Sequence, residues 1–542
     1  MNARGRELAG AALCVTLVTI LVTWPQARLL GSHLAAHHDA QFSIWRLGWI
    51  AHALSTQPLR LFDANIFHPA LKTLAYSDAT LLEGVLGAPL FWLGVSPTAV
   101  YNALLLVGFA GSGLGMFVLA RRLTGDTAPA LLAAIIFTVL PYRIEHFMHL
   151  ELQWAMFIPL TFWALHETVE RASWRWGLAA GVCIWLQLLA CVYYGVFLGL
   201  TLLVFVPFVL ASATRPTRAA AAVAVAACTA LVLSVPFLLP YASASGELGT
   251  RSPEEIARYS ATAKNYFSVS ARNIVWSWTS ERWGAPELRL FPGATAVVLA
   301  LVALWRRPVK PVLLYLVVAA LAVELSFGPN GFLYGVLFGH VQALQGFRAL
   351  SRYGAIASCA VAMLAAFGLQ AVLRRCTTAG LRATASVLVI AISLVEGLNH
   401  EMWIAPADSW AIPDVYRVIR SAAPGAIVEL PMPDLRRLPG LDPQYEAWSL
   451  WHWRPMVNGY SGYHPQDYLD TLLRMLSFPD EASLGRLRSH DVRYVIVHRS
   501  YYDQDTYADL MIRIARRPEL KPWGAYRDVK GTADIFELLP VD

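Results

Sequence analysis

Residues 104–151 read LLLVGFAGSGLGMFVLARRLTGDTAPALLAAIIFTVLPYRIEHFMHLE, two apolar runs around the basic pair Arg121 and Arg122, closed by a dense polar segment. The runs near 98–120 and 127–140 have the composition of membrane-spanning helices, in which every backbone polar group is satisfied within the segment. The basic pair marks the cytoplasmic side. The segment from Pro141 to Glu151 therefore belongs to the opposite face.

Working outward, further apolar stretches lie near 154–169, 177–193, 195–213, 218–240, 293–305, 311–326, 353–373 and 383–397, and Leu8 to Val22 follows Arg4 and Arg6 at the start. Leu8–Val22 is long for a signal-peptide core and reads as an uncleaved first span. Basic residues recur in alternate loops: Arg171 and Arg175, Arg215 and Arg218, Arg306, Arg307 and Lys310, then Arg374, Arg375 and Arg382. All of these fall in the cytoplasm under one topology. Counting Leu81–Val95 as a span would invert every later loop, and this stretch is short and carries Glu83 and Pro89. It is expected to lie along the outer surface. The expectation is a multi-pass protein of the cytoplasmic (inner) membrane with eleven spans, the N-terminus cytoplasmic and the C-terminal part extracytoplasmic. Its outer segments are 25–97, 141–153, 242–292 and 327–352.

Composition agrees, since 542 residues that are 56% hydrophobic and only 15% charged carry more apolar surface than a soluble domain of that length can bury. The net charge of +6 is scattered in short loops, without the one-sided basic face and interleaved aromatics of a nucleic-acid binder. Cys14, Cys183, Cys191, Cys228, Cys359 and Cys376 lie in or beside apolar runs and contain no C-x-x-C, which excludes a legible zinc site or disulfide framework.

From about residue 398 the charge rises and alternating patterns begin. Ala426–Leu430, Val492–Val497 and Ile535–Leu539 read as buried strands, and 412–422, 466–477 and 505–516 as amphipathic helices. The fold class expected is an all-α polytopic membrane domain over 1–397 followed by a small α/β soluble domain over 398–542.

Three outer segments carry chemistry. The first opens with His37-His38-Asp39-Ala40-Gln41 and runs through Asn65-Ile66-Phe67-His68-Pro69 to Tyr76-Ser77-Asp78. Asp39 could serve as general base toward an acceptor hydroxyl or hold a divalent metal, or it could simply cap the helix after it. The second segment packs Arg143, Glu145, His146, His149 and Glu151 into one turn. A helix there would place Glu145 and His149 on one face, a spacing able to relay a proton or bind metal, and the bland reading is a polar interfacial turn. The third carries Arg348 and Arg352 within Gln345-Gly346-Phe347-Arg348-Ala349-Leu350-Ser351-Arg352-Tyr353. Two arginines at an outer boundary need an offset for their charge, which a lipid phosphate would supply and which headgroup snorkelling would supply equally. In the tail, Val457–Pro465 is rich in glycine and tyrosine and could form a sugar-stacking loop, but its Asn458-Gly459 favours a tight turn.

The large first outer loop with Asp39 just past the first span resembles the GT-C superfamily of lipid-dependent glycosyltransferases. So do the outer-surface stretch after it, Leu119-Ala120-Arg121-Arg122-Leu123-Thr124-Gly125-Asp126 ahead of a short helix ending in Leu140-Pro141, and the polar second loop. Protein mannosyltransferases, bacterial aminoarabinose transferases and the bacterial membrane proteins that glycosylate lipoteichoic acid share this layout. The likeness covers residues 1–170 in detail and the rest in architecture. It implies a hexosyl or pentosyl transferase of the cell envelope, moving a sugar from a polyprenyl-phosphate-linked donor to a glycan, lipid or protein acceptor, within membrane lipid and without nucleic acid. By that resemblance Asp39 stands where the family carries its first-loop catalytic or metal-binding acid, and Glu145, His146 or His149 where it carries a second functional residue. Arg348 and Arg352, with Asp78, would hold the substrate, and Asp39 and His149 a cation such as Mg or Mn. The second loop lacks the aspartate of several branches, and the first lacks an Asp-Glu pair.

Two other readings stay open at this level. A transporter or flippase of lipid-linked saccharide would line its path with polar groups, of which Gln187 and Glu324 are among the few. A non-catalytic GT-C-like scaffold would keep the helices and use the tail for partners.

Overall fold

The protein is described by a computed structural model for residues 3–249, 251–305, 309–338, 340 and 346–540. Arg306, Arg307 and Gln345, used above, lie outside the described residues. Every apolar run anticipated from hydropathy is helical, because small and unbranched apolar residues propagate a helix, and several of the Ser and Thr inside the runs bond back to the carbonyl one turn earlier, as Ser112 does to Gly108 and Thr138 to Ala134. Seven helices among the described residues are long and apolar enough to cross a membrane. Phe157–Arg171, Trp174–Ala190, Ala294–Trp305 and Lys310–Ser326 are helical but shorter. The helix Leu81–Trp92 has 12 residues. At about 1.5 Å per residue it cannot span a hydrocarbon core of about 30 Å.

The chain divides into two compact units: Met1–Leu30, Asn102–Leu238 and Gly249–Ile404 form the first, and Gly31–Tyr101, Leu239–Leu248 and Ala405–Asp542 the second. The second unit thus takes in the first outer loop as well as the tail, although hydropathy alone assigns that loop to the membrane part.

In the first unit the helix Gly354–Leu373 is central. Its span is 72% buried against 11% for Ala379–Gly397, whose Leu381, Val387, Leu388 and Ile392 are exposed as a lipid-facing surface would be. Gly368 lets it approach the backbone of Leu299, and Gly177 and Gly181 do the same against Ala222 and Ala226, the small-residue packing that membrane helices favour. Charged side chains sort to the two ends. At one end Arg121 Nε donates to Glu7 Oε1 at 2.5 Å, Arg122 and Arg171 meet at Glu167, and Gln370 donates to Asp126 at 2.7 Å. Arg352 precedes the central helix and Gln370 closes it, so the second-loop residues and Arg352 gather at the opposite end.

The second unit is built on a four-stranded mixed sheet. Ala426–Leu430 runs parallel to Val492–His498, which pairs antiparallel with Thr532–Leu538, and that strand with Leu520–Arg527. Three of these strands and the helices Asp414–Ser421, Gln466–Met475 and Gln504–Ala515 match the sequence expectation. Val428, Leu430, Val495, Val497, Leu484, Leu510 and Phe536 form the core beneath the sheet. The first outer loop is stitched to this frame by backbone pairing: Phe67 donates to Asn458 O at 3.1 Å, His68 to Met456 O at 2.9 Å, and Met456 to Asn65 O at 2.8 Å.

Asn458-Gly459 does not form the tight turn its composition suggests. The Asn458 side chain is buried, accepting from Glu429 N at 2.7 Å and donating to Glu429 O at 3.0 Å, so it extends the sheet edge and spends its polar groups there. Gly459 is required for close approach instead, since a Cβ would strike the Phe67 ring.

Candidate functional site

In the second unit the helix His38–Thr56 begins with the acid singled out from the sequence. Its cap is His37, whose Nδ1 accepts the Asp39 backbone N–H at 3.2 Å, so the cap position read for Asp39 belongs to His37 and Asp39 lies inside the helix. It sits in the first turn of the helix. Its Oδ2 lies 3.2 Å from His37 Nδ1 and its Oδ1 3.8 Å from His38 Nε2. The Tyr460 hydroxyl donates to Oδ1 at 2.7 Å, and the Tyr460 ring packs edge-on against His38 and Phe42. One ligand atom from each of His37, His38 and Asp39 falls within 4.8 Å of the others.

Tyr460 is in turn held from behind. Its backbone N–H donates to the carboxylate of Glu446, at 2.5 Å, on the buried helix Asp442–Ser449. Burial pushes the Glu446 carboxyl well up and that of Asp442 up to about 7, and Asp442 takes hydrogen bonds from Tyr468 and Asn458. Asp78, expected to bind substrate, is buried in the same unit, and its backbone carbonyl accepts from the buried guanidinium of Arg46.

In the first unit the second-loop histidines His146 and His149 lie close together, but not by helical spacing. The helix Pro141–Glu145 stops at His146, and His149 caps a separate short helix, Leu150–Gln153. Glu145 and His149 therefore do not share a helix face. Glu145 accepts from Arg289 at 2.6 Å, while His146, His149 and Glu287 offer three ligand atoms within 4.8 Å of one another. The His146 Nδ1 to Glu287 Oε2 distance is 3.7 Å, and the His146 ring lies 4.4 Å from that of Tyr142. Burial brings His146 down to about 4, leaving a neutral imidazole near neutral pH, the form that binds metal or accepts a proton. Burial works to raise Glu287, but His146, Arg352 and His149 around it outweigh that and bring it down to about 2.

The two outer arginines already have offsets. Arg352 Nε donates to Glu287 at 3.2 Å with its guanidinium over the Tyr193 ring, and Arg348 lies 3.8 Å from Glu255 and over Tyr259. Carboxylates supply part of what a lipid phosphate was expected to supply. Arg348 is the more available of the pair, with 38% of its side chain exposed against 9% for Arg352. Glu287 and Arg289 escaped the sequence reading, because no local pattern marks them and their partners lie 65 and 144 residues away, and Tyr460 was seen only within the glycine- and tyrosine-rich loop and not as a partner of Asp39, 421 residues away.

No family model matches the chain, and no curated protein does. Its structure does match solved structures. Against the cryo-EM structure of the arabinofuranosyltransferase AftD from Mycobacteria the TM-score is 0.60 at 14% identity, covering 99% of this chain and 40% of that one. Against the archaeal oligosaccharyltransferase AglB from Archaeoglobus fulgidus, solved with an inhibitory peptide and a dolichol-phosphate, it is 0.52 at 12% identity, covering 97% and 74%. This chain thus spans well under half of the AftD chain. Both neighbours are GT-C glycosyltransferases, and the fold of this chain is the GT-C fold.

Proposed function

We propose that this protein is a membrane glycosyltransferase that moves a sugar from a polyprenyl-phosphate-linked donor to an acceptor hydroxyl at the outer face of the cytoplasmic membrane. The observation that carries this reading is Asp39, an acid placed in a first helical turn among His37, His38 and Tyr460. In the reaction so proposed Asp39 takes the proton of the acceptor hydroxyl as its oxygen attacks the anomeric carbon, and the bond from that carbon to the phosphate oxygen breaks with inversion. The phosphate leaves with its negative charge held by Arg348 and Arg352.

Both three-residue clusters combine two imidazoles with one carboxylate, a donor set that suits Mn²⁺ better than Mg²⁺, which prefers oxygen alone. His37, His38 and Asp39, or His146, His149 and Glu287, would hold such an ion, whose charge would lower the cost of the departing phosphate. The test is Asp39→Asn in native membranes. The expected result is loss of the glycan product at unchanged protein amount, and full activity in that variant would remove Asp39 from the chemistry and this reading with it.

A further inference from the structure

Within the second unit lies a cavity of about 350 Å³ that none of the roles above uses. One side is aromatic, formed by Trp410, Trp448 and Trp451. Trp448 and Trp451 are buried and Trp410 half-buried, with the Trp410 and Trp451 rings 5.8 Å apart and tilted. The Trp410 indole N–H donates to Thr98 Oγ1 at 2.9 Å, which fixes that ring in place. Leu34, Ile44, Pro406 and several alanines add apolar wall, and polar side chains complete the lining. Gln444 donates through Nε2 to Asp408 Oδ2 at 3.1 Å and accepts from the Tyr501 hydroxyl at 3.3 Å, so its amide has a set orientation, and Lys530 adds one ammonium.

This lining selects a ligand class. Three indoles give flat apolar faces, and an amide, a carboxylate and an ammonium give donors and acceptors around them. One carboxylate and one ammonium do not make an anion site, and the polar groups would be left unpaired by an acyl chain. A neutral saccharide, with C–H faces to stack and hydroxyls that both donate and accept, satisfies both kinds of wall. The volume lies near the small end of ligand pockets, about 300–1,000 Å³, room for one or two rings and not for a long polymer.

Position gives the role. His37 and His38 also line the cavity, and these are the two imidazoles 3.2 and 3.8 Å from the Asp39 carboxylate. We infer that the cavity is the subsite for a neutral saccharide acceptor, seated on Trp410 and Gln444 with a hydroxyl toward the His37–His38 edge. This assignment rests on the transferase reading for its role as acceptor site, but not for the binding itself.

The experiment uses the full-length protein in detergent or nanodiscs and follows tryptophan fluorescence during titration with methyl glycosides of arabinose, mannose, galactose and glucose and with neutral disaccharides. At least one of these is expected to bind saturably. Gln444→Ala, and independently Lys530→Ala at the exposed rim, should weaken that binding about tenfold and about threefold, while Asp39→Asn leaves it unchanged. In a transfer assay Gln444→Ala should raise the acceptor KM about tenfold with kcat held, whereas Asp39→Asn should abolish kcat. Saccharide binding unaffected by both cavity variants, or no binding by any member of the panel, overturns the subsite. If Asp39→Asn abolishes transfer while the cavity variants leave the acceptor KM unmoved, the subsite falls and the transferase reading stands. If Asp39→Asn stays fully active yet the cavity variants lose saccharide binding, the transferase reading falls and the saccharide cavity stands.

Discussion

The phenol of Tyr460 donates a 2.7 Å hydrogen bond to the carboxylate of Asp39, across 421 residues of chain. It fixes the carboxylate on the side away from the imidazole of His37, and the Glu446 carboxylate fixes Tyr460 from behind. Tyr460 is a positioning residue in this arrangement. Tyr460→Phe should lower kcat about tenfold with the acceptor KM little changed, since one hydrogen bond to a charged group is worth about 1.5–3 kcal/mol and only part of it bears on the transition state. Asp39→Asn should cost about 10²–10⁴ in kcat, the range for a lost general base. Equal effects of the two variants on kinetics and on protein amount would mark Tyr460 as structural only.

Arg348 and Arg352 should separate in their effects. Arg348 is the more exposed, so Arg348→Ala should raise the donor KM by about tenfold or more at unchanged stability. Arg352→Ala leaves the Glu287 carboxylate half-enclosed without its guanidinium and should destabilise the first unit by about 3 kcal/mol. Adding Glu287→Gln should restore most of that stability. A double variant as unstable as the single one would show that the Arg352–Glu287 pair is not what holds this region.

A metal requirement is checked by chelation. Treatment with EDTA should abolish transfer, and Mn²⁺ should restore it at lower concentration than Mg²⁺, given the two-imidazole donor sets. His38→Ala and His149→Ala then identify the cluster in use, because only one of them should raise the Mn²⁺ concentration needed for half-recovery. Transfer at full rate in EDTA would assign both clusters a metal-free role.

The second unit should lose stability as pH rises. Asp442 is raised by burial from 3.8 to about 7, so between those values the folded state holds more protons than the unfolded and stability falls with increasing pH. His498 behaves alike: burial works to lower it, but hydrogen bonds to Asp528 and Glu429, each 2.7 Å, raise it from 6.5 to about 9. Its contribution is complete below 6.5 and lost as pH passes 9. Hydrogen exchange of the strands Ala426–Leu430 and Val492–His498, corrected for intrinsic rates, should report a unit more stable at pH 5 than at pH 9 by more than about 2 kcal/mol. Asp442→Asn should flatten the acidic part of that dependence only.

Orientation is accessible to labelling. In a cysteine-free background, Leu59→Cys and Lys264→Cys should react with an impermeant maleimide from outside, and Ser212→Cys only after the membrane is opened. Leu59 and Lys264 reacting from different faces would break the topology on which the acceptor and donor roles depend.

What the sequence revealed and hid follows from range. Apolar runs and basic loops are local signals, and they placed the helices of the first unit. The strand Leu520–Arg527 went unread because it is an edge strand with Pro522 and Gly524 in it and most of its residues exposed, so no alternation survives. The helix Asp442–Ser449 went unread for the opposite reason: all of its residues are buried, which erases the amphipathic period. Asp39 was legible by its place after the first span and Tyr460 only as one tyrosine of a loop read as a turn, whereas Glu287 and the tryptophan-lined cavity are made by contacts between distant segments and leave no trace in any short window.

Because Asn65–His68 hydrogen-bonds to Met456–Asn458, the early segment and the late one complete each other. During translation, at roughly 5–20 residues per second, the part of the chain bearing Asp39 leaves the ribosome tens of seconds before Tyr460 exists. A nascent chain halted anywhere before the closing sheet would carry the acid without its setting. The order of synthesis thus delays assembly of the acid's surroundings until the chain is nearly made.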